Sequence, residues 1–131
     1  MYTHEQLLSE VGNILDLTLE FDENEQCMLQ FDDSFVISIK INRDVWLLTG
    51  ILLNSLPSVC GEGFWRKIMT INVELAINNF GHLSYSDEDN MLLLMYTIMN
   101  LNTAHSVTGH LEKFVNLQEK LIETLQQYSP Y

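Results

Sequence analysis

Phe35-Val36-Ile37-Ser38-Ile39-Lys40-Ile41 and Val45-Trp46-Leu47-Leu48-Thr49-Gly50-Ile51-Leu52-Leu53 decide how this chain folds. In the first segment Phe35, Ile37, Ile39 and Ile41 alternate with Val36, Ser38 and Lys40, the period-two pattern of a strand with one covered face. The second is apolar at both parities and asks for cover on two faces. Asn42-Arg43-Asp44 between them has room only for a turn. Upstream, Cys27, Leu29 and Phe31 share one side of a further strand, and Asp32-Asp33-Ser34 turns it into the next. Three neighbouring strands joined by short turns predict an antiparallel meander.

Helices flank this meander. Thr3 with Gln6 reads as a capping box, followed by Leu7, Leu8, Val11, Ile14 and Leu15 at helical spacing. Gly12 interrupts that pattern at a cost of about 1 kcal/mol against alanine. Asp22-Glu23-Asn24-Glu25 reads as a loop, as does Asn54 to Gly63 with its Pro57. Phe64 to Asn79 predicts a second helix, ended by Asn79-Phe80-Gly81 with glycine in the left-handed position. A short strand over His82 to Ser86, a turn at Asp87-Glu88-Asp89-Asn90 and a long strand over Met91 to Met99 follow. The last helix starts near Asn102 or Thr103, carries Val107, Leu111, Phe114, Val115, Leu121, Ile122 and Leu125, and ends at Tyr128-Ser129-Pro130. The order αβββαββα predicts an α+β sandwich, a twisted antiparallel sheet with helices packed on it, as one domain over residues 1–131.

Charge narrows the function. The chain has 18 Asp and Glu against 6 Lys and Arg, a net charge of −12, yet 47% of its 131 residues are hydrophobic. Glu5, Glu10, Asp16, Glu20, Asp22, Glu23, Glu25, Asp32 and Asp33 all precede the first Lys or Arg, Lys40. A disordered acidic tail would be poor in aromatic and aliphatic groups, so this chain folds and its charge acts on solubility and partner choice. Nucleic acid is excluded for want of a basic footprint, and anionic membrane surfaces with it. Met1 to Gln6 has no basic n-region, and the longest apolar run, Met91 to Tyr96, is too short to span a bilayer. Two cysteines, Cys27 and Cys60, make no disulfide framework, so a cytoplasmic protein with reduced thiols is expected.

No catalytic constellation emerges, and neither enzyme chemistry nor a cofactor or metal is expected. His105 and His110 are five apart, which does not stack them as an i, i+4 metal pair. Asp87 to Asn90 lacks the glycine and bidentate glutamate of a calcium loop and reads as a hairpin turn. Cys27 reads as a small buried hydrophobe, and no neighbouring base activates Cys60.

The surplus is apolar. In the second helix Phe64, Ile68, Ile71 and Leu75 suit the core, while Trp65, Met69 and Ala76, with Asn72 between them, form a second row. A fully buried central helix is one reading of that row. The one adopted is a two-fold homodimer in which the row packs on its own copy, because a small domain has little core with which to surround a helix. Met28, Val36 and the outer face of the first helix are the apolar groups most open to a further partner.

At this point the chain resembles a known family. Asp44-Val45-Trp46-Leu47-Leu48-Thr49-Gly50, Pro57-Ser58-Val59-Cys60-Gly61, Phe64-Trp65-Arg66-Lys67-Ile68-Met69, Ile71-Asn72-Val73-Glu74-Leu75-Ala76-Ile77-Asn78-Asn79-Phe80-Gly81 and Phe114-Val115-Asn116-Leu117-Gln118-Glu119 carry the likeness. They look like the small, acidic, homodimeric class I chaperones of bacterial type III secretion, the CesT/SicP type, and are most similar to its SicP branch. Departures gather in the first helix and first hairpin. The resemblance implies a chaperone without ATP or cofactor. Such a protein binds a short segment near the N-terminus of one secreted effector, here with an SptP-like tyrosine phosphatase as candidate, and keeps it extended. It also implies a dimer contact at Trp65, Ile68, Met69, Asn72 and Ala76, and effector binding at Leu8, Leu15, Met28, Gln30, Val36 and Ser38, with backbone groups adding as a strand to a sheet edge. A regulatory module that sequesters a transcriptional or secretion regulator is the rival reading.

Overall fold

Alternation and turn chemistry place the strands where the sequence predicts them. A computed structural model describes residues 3–31, 35–56 and 60–127. Its elements run α1 (His4–Leu15), β1 (Gln26–Phe31), β2 (Phe35–Asn42), β3 (Val45–Leu53), α2 (Glu62–Ile77), β4 (His82–Ser86), β5 (Met91–Ile98) and α3 (Ala104–Gln126). The expected turn at Asp32-Asp33-Ser34, the Pro57 part of the loop and the helix end at Tyr128-Ser129-Pro130 lie outside the described residues. All strand pairs are antiparallel, and the order β1-β2-β3-β5-β4 inserts β5 between β3 and β4.

Element ends differ from expectation by a residue or two. β2 runs through Asn42, which pairs with Val45, so the turn shrinks to Arg43-Asp44 with Arg43 at φ 60. A two-residue hairpin turn that matches the strand twist needs positive φ. α2 starts at Glu62 rather than Phe64, with extended Gly61 as N-cap, and it stops at Ile77 rather than Asn79. Glu62 in that first turn suits the positive end of the helix dipole. Asn79 and Gly81 then both take positive φ, and a Cβ on Gly81 would sit 2.5 Å from the Met95 carbonyl oxygen, so only glycine fits there.

One face of the sheet carries the core. Cys27, Leu29, Ile37, Ile39, Trp46, Leu48, Leu92, Leu94 and Ile98 are buried in one cluster with Leu7, Leu8 and Val11 of α1 and Val107, Leu111, Phe114, Leu121 and Leu125 of α3. α1 and α3 pack against each other, and α2 lies along β4. The largest fully buried side chain, Trp46, donates its indole N–H to His4 Nδ1 at 2.9 Å, which pins the start of α1 to β3. Gln118 of α3 is also buried and donates to the Ile51 carbonyl at 3.1 Å, just before the β3–β5 register shift. Its amide lies against Gly50, where a Cβ would approach it to 2.8 Å.

Gly12 has a packing reason that its helical position hides. The chain leaves α1 through Asp16 at φ 59 and folds back, with Leu17 N–H donating to the Gly12 carbonyl at 2.8 Å. A Cβ at Gly12 would meet the Leu17 carbonyl oxygen at 2.6 Å. Gly12→Ala is therefore expected to lower stability by about 1–3 kcal/mol through overpacking, despite the roughly 1 kcal/mol that alanine gains in a helix. Urea unfolding monitored by circular dichroism reads the sign.

Candidate functional site

The sheet face opposite the core is built from the other parity of the same strands. Successive cross-strand pairs put Met28, Ser38, Thr49, Met95 and His82 in one row, and Gln26, Lys40, Leu47 and Thr97 in another. Gln30 pairs with Val36, and Ile51 with Leu93, on the same face. Val36, Leu47, Ile51, Leu93 and Met95 are half-buried by their neighbours, and none belongs to the core cluster or packs on it. Met28 is 63% exposed. Burial alternates along β3 because only one of its two apolar faces is covered by helices.

Four of the six residues expected to bind effector converge here. Met28 and Ser38 are direct cross-strand partners, as are Gln30 and Val36, so they form one patch at the β1 side of this face. Leu15 is on the helix side instead. There it lines an open groove of about 280 Å³ with Phe31, Leu111, Glu112, Val115 and Asn116. The sixth, Leu8, does not offer a free side chain. It is 1% exposed, because α1 lies flat enough to turn both Leu7 and Leu8 inward. It lines a groove of about 390 Å³ together with Glu5, Ser9, Asn13, Leu17 and Phe21.

α2 presents the second apolar surface. Trp65 is 40% exposed and Met69 69%, and Ala76 is exposed beside them. Two residues that sequence reasoning left out extend the row, Val73 at 59% and Ile77 at 76% exposure. Their signal was the spacing 65, 69, 73, 77, one step of four per turn on a single flank. Trp65 meets Tyr85 of β4 edge-on, with ring centroids 6.5 Å apart. Ile68, expected at the interface, is instead 6% exposed and belongs to the core with Phe64, Ile71 and Leu75. Asn72 is committed as well. Its Oδ1 accepts the Leu83 N–H at 2.6 Å and its Nδ2 donates to the Leu83 carbonyl at 3.4 Å, which closes the edge of β4.

Among the described residues, His, Cys, Asp and Glu side chains form no cluster that could hold a metal ion. Burial pushes the Cys27 thiol pKa up, the Asp22 carboxylate adds to that, and a hydrogen bond with the Glu20 backbone offsets part of it. Tyr96, also raised by burial, is hydrogen-bonded to His110 at 2.9 Å and stacked on Phe80, so His110 faces the fold while His105 is exposed. Asp87 to Asn90 is the β4–β5 turn, tied by Asn90 to Tyr85 and to the Leu56 carbonyl. No helix among the described residues is long and apolar enough to cross a membrane.

Residues 6–122 match the model of the CesT family, described as Tir chaperone proteins. The chain belongs to the CesT family. Its fold is shared with the solved ExsC–ExsE complex at TM-score 0.77 and 21% identity, covering 92% of both chains. The HopA1–SchA chaperone–effector complex aligns at TM-score 0.75 and 15% identity, over 89% of this chain and 91% of that one. The Yersinia pestis type III secretion chaperone SycH, solved with a fragment of YscM2, aligns at TM-score 0.68 and 19% identity over 91% and 99%. For this CesT-family chain, Asn72→Ala is expected to cost about 1–3 kcal/mol, because the Leu83 backbone loses its partner on a half-buried edge. Thermal unfolding with residue-resolved amide exchange at Leu83 measures both consequences.

Proposed function

We propose that this chain is a homodimeric chaperone of type III secretion, without enzymatic activity, that holds an extended segment near the N-terminus of a secreted effector in the bacterial cytoplasm. The observation that carries the reading is the outer sheet face. Val36, Ile51, Leu93 and Met95 are apolar and lie outside the core on one sheet face, and Val36 borders β1, whose outer edge no described residue pairs from Met28 to Gln30. An extended polypeptide matches both features, since its side chains fill apolar hollows while its backbone pairs with a strand edge. The CesT family and the chaperone–effector complex of the same fold support this assignment. In it, Met28, Gln30, Val36 and Ser38 contact the client directly. Leu15 offers its groove to one apolar client side chain, and Leu8 supports from below. An SptP-like tyrosine phosphatase is the client favoured by the SicP-like segments.

The α2 row serves the twin. Trp65, Met69, Val73, Ala76 and Ile77 form one apolar strip, and a two-fold axis lets that strip meet its own copy. Ile68 and Asn72 hold the helix in place from within. Two copies tether two client sites and raise the effective concentration of the second.

Three outcomes test this reading. Met69→Asp is expected to give monomer or insoluble protein on size exclusion with light scattering, because a buried unpaired charge is costly. A normally folded dimer from that variant contradicts the α2 assignment. Val36→Asp is expected to keep the wild-type melting temperature but to lower client capture at least tenfold in co-purification. Co-expression with the secreted protein encoded beside this gene should yield a soluble complex. Recovery only of a regulator that stays in the cell would favour sequestration instead.

A further inference from the structure

The backbone groups of β1 divide into two sets. Ile41 N–H donates to the Glu25 carbonyl at 3.0 Å, and the register continues through Gln26 opposite Lys40 and Cys27 opposite Ile39. Hydrogen-bonded and non-bonded pairs alternate along an antiparallel ladder. Cys27, Leu29 and Phe31 therefore turn their N–H and C=O groups toward β2, and those of Gln26, Met28 and Gln30 point away from the sheet. At Gln26 one residue takes both outward groups. Asp22 Oδ1 accepts the Gln26 N–H at 3.0 Å, and Asp22 N–H donates to the Gln26 carbonyl at 2.8 Å. The same carboxylate oxygen accepts Asn24 N–H at 2.8 Å, while Glu25, at φ 61, donates its N–H to the Asp22 carbonyl at 3.0 Å. Asp22 is thus a one-residue stub of strand laid along the start of β1. No described residue bonds the outward groups of Met28 or Gln30, and both side chains are exposed.

The geometry points to Asp22 as the residue that sets the register of an added client strand, a role that rests on the chaperone reading above. A client joining this edge finds its first open N–H and C=O at Met28 and its next at Gln30, and it is stopped at Gln26. A one-residue slip would exchange its two side-chain sets between the outer face of Met28 and Val36 and the groove of Leu15 and Phe31. The stop makes one frame preferred, so client side chains of alternate parity are sorted between the two sides of the sheet. It also shortens the open edge, which limits pairing between two copies of the chain. At the other edge of the sheet Asn72 does the comparable work on Leu83.

Residue-resolved amide exchange tests this on three chains, wild type, Asp22→Asn and Asp22→Ala. Each is measured alone and bound to the effector fragment recovered by co-expression. In the free wild type, Gln26 should exchange roughly five- to tenfold more slowly than Met28 and Gln30, the factor expected of one net hydrogen bond. Asp22→Asn, which keeps an acceptor oxygen, should preserve that difference, and Asp22→Ala should abolish it. In the wild-type complex, new protection should begin at Met28 and include Gln30, and in the Asp22→Ala complex it should reach Gln26. The proposal is overturned if Gln26 exchanges as fast as Met28 in the free wild type, or if binding adds protection at the same amides in wild type and Asp22→Ala. It is also overturned if a bound fragment leaves Met28 and Gln30 unprotected, an outcome that spares the chaperone reading. Recovery of no fragment sinks that reading and the register role together, even with Gln26 protected in the free chain.

Discussion

The packing of α1 and α3 on one face of a sheet whose strands are apolar on two is the constraint from which the rest of this molecule follows. β3 alternates buried and half-buried residues over its whole length, and every buried member belongs to the helix side. Helix burial is confined to that side because Leu7, Val11, Leu111, Phe114 and Leu121 already fill it around Trp46. The outer parity of β1, β2, β3 and β5 keeps its Val, Leu, Ile and Met residues outside the core cluster that the helices build. On a small chain such surface invites association, and the net charge of −12 opposes indiscriminate contact between copies.

Side chains, rather than additional secondary structure, finish the edges of the sheet. Asn72 reaches across from α2 to close β4 at Leu83, and Asp22 closes β1 at its first residue. Among the described residues none bonds the outward groups of Met28 and Gln30, beside the patch they share with Val36 and Ser38. Exposed edge and exposed face therefore meet at one corner of the molecule. The α2 strip lies by the opposite edge strand, so a twin seated there leaves that corner free.

Most of the fold was legible because period and punctuation agree along this chain. The alternation of Phe35 to Ile41, the capping box at Thr3 and Gln6, and the glycine at 81 each name one conformation, and the structure adopts them. The site was legible in part. Strand parity is enough to put Met28, Gln30, Val36 and Ser38 on the same face of β1 and β2. Helical spacing put Leu8 and Ile68 on the apolar faces of their helices, and both are buried; only the family resemblance set them among the contact residues. Asn72 has a second commitment that the sequence does not show. Its neighbours Trp65, Met69 and Ala76 are surface groups, and only the position of β4 shows that its amide is occupied. Val73 and Ile77 fall outside the spacing of the predicted row, whereas the exposed strip runs in steps of four. Asp22 had no sequence signal beyond its turn, because edge closure is a tertiary hydrogen-bond pattern.

Methionine oxidation by dilute peroxide, mapped by mass spectrometry on the free protein, tests most directly whether the two apolar surfaces have different owners. Met28, Met69 and Met99 are all more than half exposed on a single chain. If the α2 strip is covered by a twin and the outer face awaits a client, Met28 and Met99 oxidise quickly and Met69 slowly, and Met69 joins them on dilution to monomer. Equal oxidation of Met69 and Met28 at high protein concentration would contradict the account.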